Sequence, residues 1–138
     1  MGGSDYYWPF TLENGFPPAT SDNQPQVSFP GLWEIPLYAL VAPDDLRYEL
    51  SLWQGKITAS DWNLFKESFE GRHLTGEEVK SVLLHTLDLR LSGNRCPMTL
   101  GLHPDLYSEE AEWEEGELNT GQKRTVLEEF VQEALSSG

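Results

Sequence analysis

Thr75-Gly-Glu-Glu-Val-Lys-Ser-Val-Leu-Leu-His-Thr-Leu-Asp-Leu-Arg-Leu-Ser-Gly-Asn94, followed two residues later by Pro97-Met-Thr-Leu-Gly-Leu-His-Pro104, decides how this chain is read. Thr75 and Glu78 have capping-box spacing, in which each side chain binds the other's backbone N–H. Val79, Val82, Leu83, Leu87 and Leu91 then recur on one helical face until Gly93-Asn94, which predicts a helix from about Glu77 to Leu91. Pro97 and Pro104 bracket a short apolar run with the punctuation of a buried strand, and they put His103 at its C-terminal end.

Working outward, Thr120 is expected to cap a helix over about 122–135, whose Val126, Leu127, Phe130, Val131, Ala134 and Leu135 make one broad buried face. Upstream, Ser60 is a candidate N-cap for a short helix in which Trp62, Phe65 and Phe69 recur at helical spacing before Gly71. Leu32 to Tyr38 reads as a strand, with Pro36 at its end or at an edge. Residues 1–29 read as a long aromatic- and proline-rich loop whose large rings need a body to cover. The glutamates of 109–117, around Trp113, read as a solvated, self-repelling loop. Strands separated by helical crossovers predict parallel neighbours and an α/β architecture. Two strands cannot form a sheet covered on both faces. Either 38–53, where Leu46, Tyr48, Leu50 and Leu52 alternate, adds a third strand, or the chain is part of a larger layer structure.

A chain of 138 residues is the size of one ordinary domain, and 1–138 is read as a single unit. Nine basic against 23 acidic residues leave a formal charge of −14, which repels phosphate backbones and anionic membranes. Nucleic acid and membrane are therefore not expected partners. Cys96 is the one cysteine, so neither an intrachain disulfide nor a cysteine-ligated zinc is expected. No apolar run approaches the roughly 18 residues of a membrane span, and no basic region leads into an apolar one at the N-terminus.

No G-x-S-x-G, G-x-x-x-x-G-K-[ST], G-x-G-x-x-G or H-E-x-x-H spacing occurs. His73, His85 and His103 stand too far apart for a local pair to hold a metal, so no metal ligand is assigned in this chain. His85 reads as an ordinary helix residue and His73 as a solvated loop residue before a cap. His103 differs by its place. Ligands of α/β folds bind beyond the carboxyl ends of parallel strands, and an imidazole there is well placed to move protons.

Three segments carry a resemblance. Asp5-Tyr-Tyr-Trp-Pro-Phe-Thr-Leu12, Phe29-Pro-Gly-Leu-Trp-Glu-Ile-Pro-Leu37 and Gly93-Asn-Arg-Cys-Pro-Met-Thr-Leu-Gly-Leu-His-Pro-Asp-Leu-Tyr107 resemble, in order, the C-terminal half of the polysaccharide deacetylase family, the NodB-homology or chitin-deacetylase-like enzymes. The closing Lys123-Arg-Thr-Val-Leu-Glu-Glu-Phe-Val131 is similar to that domain's last helix. The resemblance implies part of a distorted (β/α) barrel that removes acetyl groups from N-acetylated sugar polymers with a divalent metal, zinc or similar. It implies that His103 is the late-strand histidine that protonates the leaving amine. It also implies that Trp33 is an aromatic wall and that Leu100 or Leu102 lines the acetyl pocket.

The departures are specific. The family's Thr-Phe-Asp-Asp and His-x-x-x-His segments, which supply the metal ligands and the base, have no counterpart here. Gly101 stands where the late Leu-x-His motif has leucine, and where the strand motif of many members carries an aspartate that tunes the late histidine, the only acid around Trp33 is Glu34, which strand alternation turns to the other face. Two functions compete. One is the acid-donating half of a deacetylase acting on an acetylated oligo- or polysaccharide, which is inactive without its N-terminal half. The other is a non-catalytic carbohydrate- or protein-binding module in which Tyr6, Tyr7, Trp8, Trp33 and Trp113 stack on sugar rings. An incomplete barrel is further expected to hide its apolar face by self-association or against that N-terminal half.

Overall fold

Thr75 caps the central helix as its spacing predicts: Glu78 N–H donates to Thr75 Oγ1 (3.3 Å), and Thr75 N–H donates to Glu78 Oε2 (2.7 Å). The computed structural model describes residues 7–14, 28–47, 55–68 and 71–137. Among these, the strands are β1 (Phe10–Thr11), β2 (Trp33–Glu34), β3 (Leu40–Val41) and β4 (Lys56–Ile57). The helices are α1 (Asp44–Arg47), α2 (Asp61–Phe65), α3 (Gly76–Ser92) and α4 (Thr120–Ser136). Leu12–Asn14 and Pro104–Tyr107 form 3-10 turns. The chain is thus mixed α/β, with two small sheets and no closed barrel among the described residues.

α3 organises the core. Val79, Val82 and Leu83 are buried against Leu40, Ile57, Leu64, Phe65 and Val126, each large apolar side chain contributing about 1.5–3 kcal/mol on leaving water. The lower half of the predicted stripe is corrected: Thr86 and Arg90 are buried there, while Leu87 and Leu91 are only half-buried. The reason is β3, which lies beside this end of the helix. Thr86 Oγ1 accepts from Val41 N–H (2.8 Å) and itself donates to Val82 O (2.8 Å), so a hydroxyl meets a strand N–H that leucine would leave unsatisfied.

α4 runs along α3 and is capped one residue earlier than expected, by Asn119. Its side chain accepts from Gln122 N–H (3.0 Å), and Gln122 Oε1 accepts from Asn119 N–H (2.9 Å). The broad buried face is narrower than its pattern implied. Val126 is buried and Leu127 and Phe130 pack at the margin, but Val131 and Leu135 are exposed. A helix lying on one neighbour hides only the stripe that faces it.

In place of the expected parallel sheet, the described residues show an isolated parallel bridge, Ser60 to Gly101. The ladders themselves are antiparallel: β1 with β2 (Phe10 opposite Glu34) and β3 with β4 (Leu40 opposite Ile57). Residues 98–103 therefore form no strand. Their backbone partner is the short stretch 59–61, through Gly101 N–H to Ala59 O (2.8 Å) and Asp61 N–H to Gly101 O (3.0 Å), and prolines close both ends of the run. Of Leu32–Tyr38 only Trp33–Glu34 pairs. Leu46 of the alternating 38–53 run lies in α1, and residues 48–54, like Tyr6 and Phe69, fall outside the described residues. The N-terminal segment is pinned by Tyr7 N–H to Tyr38 Oη (2.6 Å), Trp8 Nε1–H to Asn94 O (3.2 Å) and Cys96 Sγ–H to Tyr7 O (2.7 Å).

Candidate active site

The parallel bridge from Ser60 to Gly101 builds the site. By holding 59–61 against Gly101 it starts α2 beside the turn that follows His103, and Ser60 caps α2 by accepting from Trp62 N–H (3.3 Å). Asp61, at the first position of α2, has no exposed surface. A carboxylate so placed must be hydrogen-bonded, and three donors reach it. The backbone N–H of His103 donates to Oδ2 (2.8 Å), the Tyr107 hydroxyl donates to Oδ2 (2.7 Å), and His103 Nδ1 lies 2.6 Å from Oδ1. Trp62 stands edge-on to the imidazole, with ring centroids 5.6 Å apart.

This arrangement sets the state of the imidazole. A carboxylate only accepts, so Nδ1 carries the hydrogen and Nε2 is the ring nitrogen left to exchange protons, on a side chain that is 47% exposed. An Asp–His pair of this kind holds the ring's tautomer and stabilises the imidazolium when a second proton arrives at Nε2. Nε2 is the nitrogen through which such a ring accepts and donates a proton.

The residues singled out from sequence are distributed unevenly around it. His103 precedes the Pro104–Tyr107 turn, just past the bridge, so it does follow a chain segment paired in parallel. Leu102 is exposed beside it, and Leu100 packs against the core. Trp33, 62% exposed, lies on the β1–β2 ladder. That region is tied to the 98–103 segment by Thr99 Oγ1–H to Pro36 O (2.9 Å). The aromatic ring on His103 is that of Trp62. Gly101 sits where a Cβ would come within 3.3 Å of Ala59 O, so the bridge itself favours glycine over leucine there.

Asp61 and Tyr107 were missed. An acid just after an N-cap normally complements the helix terminus in solvent, and nothing local in Ser60-Asp61-Trp62 marks this one as buried. The acidic loop also departs from its reading at one point. Glu117 is buried, its side chain accepting from Lys123 Nζ (2.5 Å), Lys66 Nζ (3.1 Å) and Glu114 N–H (3.0 Å). Burial alone would push this carboxyl's pKa up, but the hydrogen bonds from Lys123, Glu114 and Lys66 outweigh it and hold the pKa below the usual carboxylate value. His73, expected in solvent, has a side chain only 8% exposed, 3.8 Å from Glu114.

Among the described residues no three His, Cys, Asp or Glu side chains converge, so they do not fit the divalent metal that the resemblance implies. No helix is long and apolar enough to cross a membrane. No family model, curated protein or solved structure matches the chain.

Proposed function

We propose that this chain is the C-terminal, proton-donating portion of a polysaccharide deacetylase of the NodB-homology type, part of a distorted (β/α) barrel acting on an N-acetylated oligo- or polysaccharide. One observation carries the reading: a buried aspartate holds His103 through Nδ1 (2.6 Å) on a side chain that is 47% exposed. The resemblance calls for a late histidine tuned by an aspartate, and Asp61 supplies it from an element other than the one around Trp33. The step assigned to this chain is proton transfer. As the amide C–N bond breaks, Nε2–H gives its proton to the departing amine nitrogen while Nδ1–H stays with Asp61. Attack on the acetyl carbon, with its divalent metal and base, belongs to residues outside those described.

The reading is tested in the full-length protein with an N-acetylated chito-oligosaccharide. His103→Ala is expected to lower kcat by roughly 10²–10⁴-fold with KM changed much less, and unchanged turnover would sink it. A second reading, the binding module, is favoured by the exposure of Leu32, Trp33, Ile35 and Leu37 beside Tyr7 and Trp8. It predicts sugar-dependent tryptophan fluorescence in a protein without deacetylase activity.

A further inference from the structure

Of the three donors to Asp61, two belong to His103 itself: its backbone N–H and its Nδ1–H. Those two move with the residue that Asp61 has to orient, so alone they fix neither the carboxylate nor the ring in the frame of the protein. The third, the Tyr107 hydroxyl at 2.7 Å from Oδ2, comes from the far end of the Pro104–Tyr107 turn. Two independent contacts anchor that tyrosine. Its ring meets Phe65 edge-on at 6.3 Å and 85°, and Phe65 lies on α2, one helical turn beyond Asp61. Its backbone carbonyl accepts from the Arg124 guanidinium on α4. Phe65 is itself fully buried, with Lys123 Nζ 5.8 Å from its ring centroid. The hydroxyl is thus referenced to α2 and α4 rather than to the loop carrying His103.

We propose that Tyr107 is the positioning residue of the pair: by donating to Oδ2 from an anchored ring it fixes the rotation of the Asp61 carboxylate and so holds His103 in the single Nδ1–H tautomer. Without the hydroxyl, Oδ2 keeps only the His103 N–H, a donor that moves with the ring, and a carboxylate free to rotate away from Nδ1 no longer selects one tautomer. Burial, and then the hydrogen bond to Asp61, push the tyrosine pKa well above its usual value, so the hydroxyl keeps its proton and remains a donor. Only the kinetic consequence rests on the proton-donor reading of His103.

The test is nitrogen-15 NMR of the His103 ring, which reports the tautomer without turnover. The wild-type chain is expected to show one tautomer with hydrogen on Nδ1, and Tyr107→Phe a mixture. In the full-length enzyme Tyr107→Phe should lower kcat by about tenfold, the size of one charge-assisted hydrogen bond, at little-changed KM. A folded Tyr107→Phe with the single tautomer intact overturns the proposal. Should that variant not fold, 3-fluorotyrosine at position 107 keeps the shape and strengthens the donor. The Nδ1–H resonance should then move upfield as charge is drawn from the carboxylate, and no movement overturns the proposal. An active His103→Ala would defeat the proton-donor reading while leaving the tautomer result standing, so the two fail separately.

Discussion

Asp61 Oδ1 and His103 Nδ1 lie 2.6 Å apart although 42 residues separate them in the chain. The contact depends on the Ser60–Gly101 bridge, which brings the start of one short helix beside the end of an apolar run. Neither residue stands out as half of a pair in its local sequence. Together they make a buried acceptor and a half-exposed imidazole, the minimum needed to hold one tautomer and present the other nitrogen to a substrate.

Replacing Asp61 tests the pair. Asp61→Asn keeps the shape but puts an amide where Nδ1–H needs an acceptor and where the His103 N–H and the Tyr107 hydroxyl also donate. Under the proposed proton-donor role, kcat on an N-acetylated chito-oligosaccharide should fall on the order of 10²–10⁴-fold. Nitrogen-15 NMR should show hydrogen on Nε2 in part of the population. Wild-type kinetics with a wild-type ring spectrum would refute the pairing.

The bridge can be strained directly. A methyl group at Gly101 meets Ala59 O at 3.3 Å, a backbone atom that also accepts from Gly101 N–H. Gly101→Ala should therefore destabilise the fold by about 1 kcal/mol. It should also broaden the His103 ring signals, because Asp61 N–H donates to Gly101 O. Thermal unfolding and the same NMR spectrum check both.

The ion pair between Glu117 and Lys123, both side chains fully buried, predicts an asymmetric mutant cycle. Lys123→Met leaves a buried carboxylate with Lys66 as its remaining cation and should cost about 3 kcal/mol in urea unfolding. Adding Glu117→Leu should recover most of that loss, since removing both charges leaves neither unpaired. A double variant less stable than Lys123→Met would contradict this account.

Acid should weaken the entry to α3. The Arg72 hydrogen bonds beside Glu78 hold its carboxyl down to about 2, against the opposing effect of burial and with help from Thr75. A folded-state pKa below the ordinary 4.5 means the stabilisation is fully present above about 4.5 and is lost as pH falls toward about 2. Glu78→Gln should lower stability by about 1 kcal/mol at neutral pH, the worth of a cap with a partly exposed pair. It should also flatten the loss of stability between those two pH values, as read from urea midpoints.

Sequence by itself determined what is local. α3 and α4 lie within a residue or two of their expected ends because capping and helical periodicity act over three or four residues, and Thr75, Glu78 and Val79 carry them without help. His103 stood out in the sequence as a titratable residue between an apolar run and a proline, but the aspartate it meets did not. Tertiary structure alone decided what depends on pairing across the chain. It turned the lower face of α3 toward β3, so that Thr86 rather than Leu87 is buried; it reduced the strand of 98–103 to one bridge; and it paired Lys123 with Glu117. Asp61 belongs to this second group. Its burial follows from a hydrogen-bond partner 42 residues away, and the desolvation that makes an acid useful appears only once the chain has closed around it.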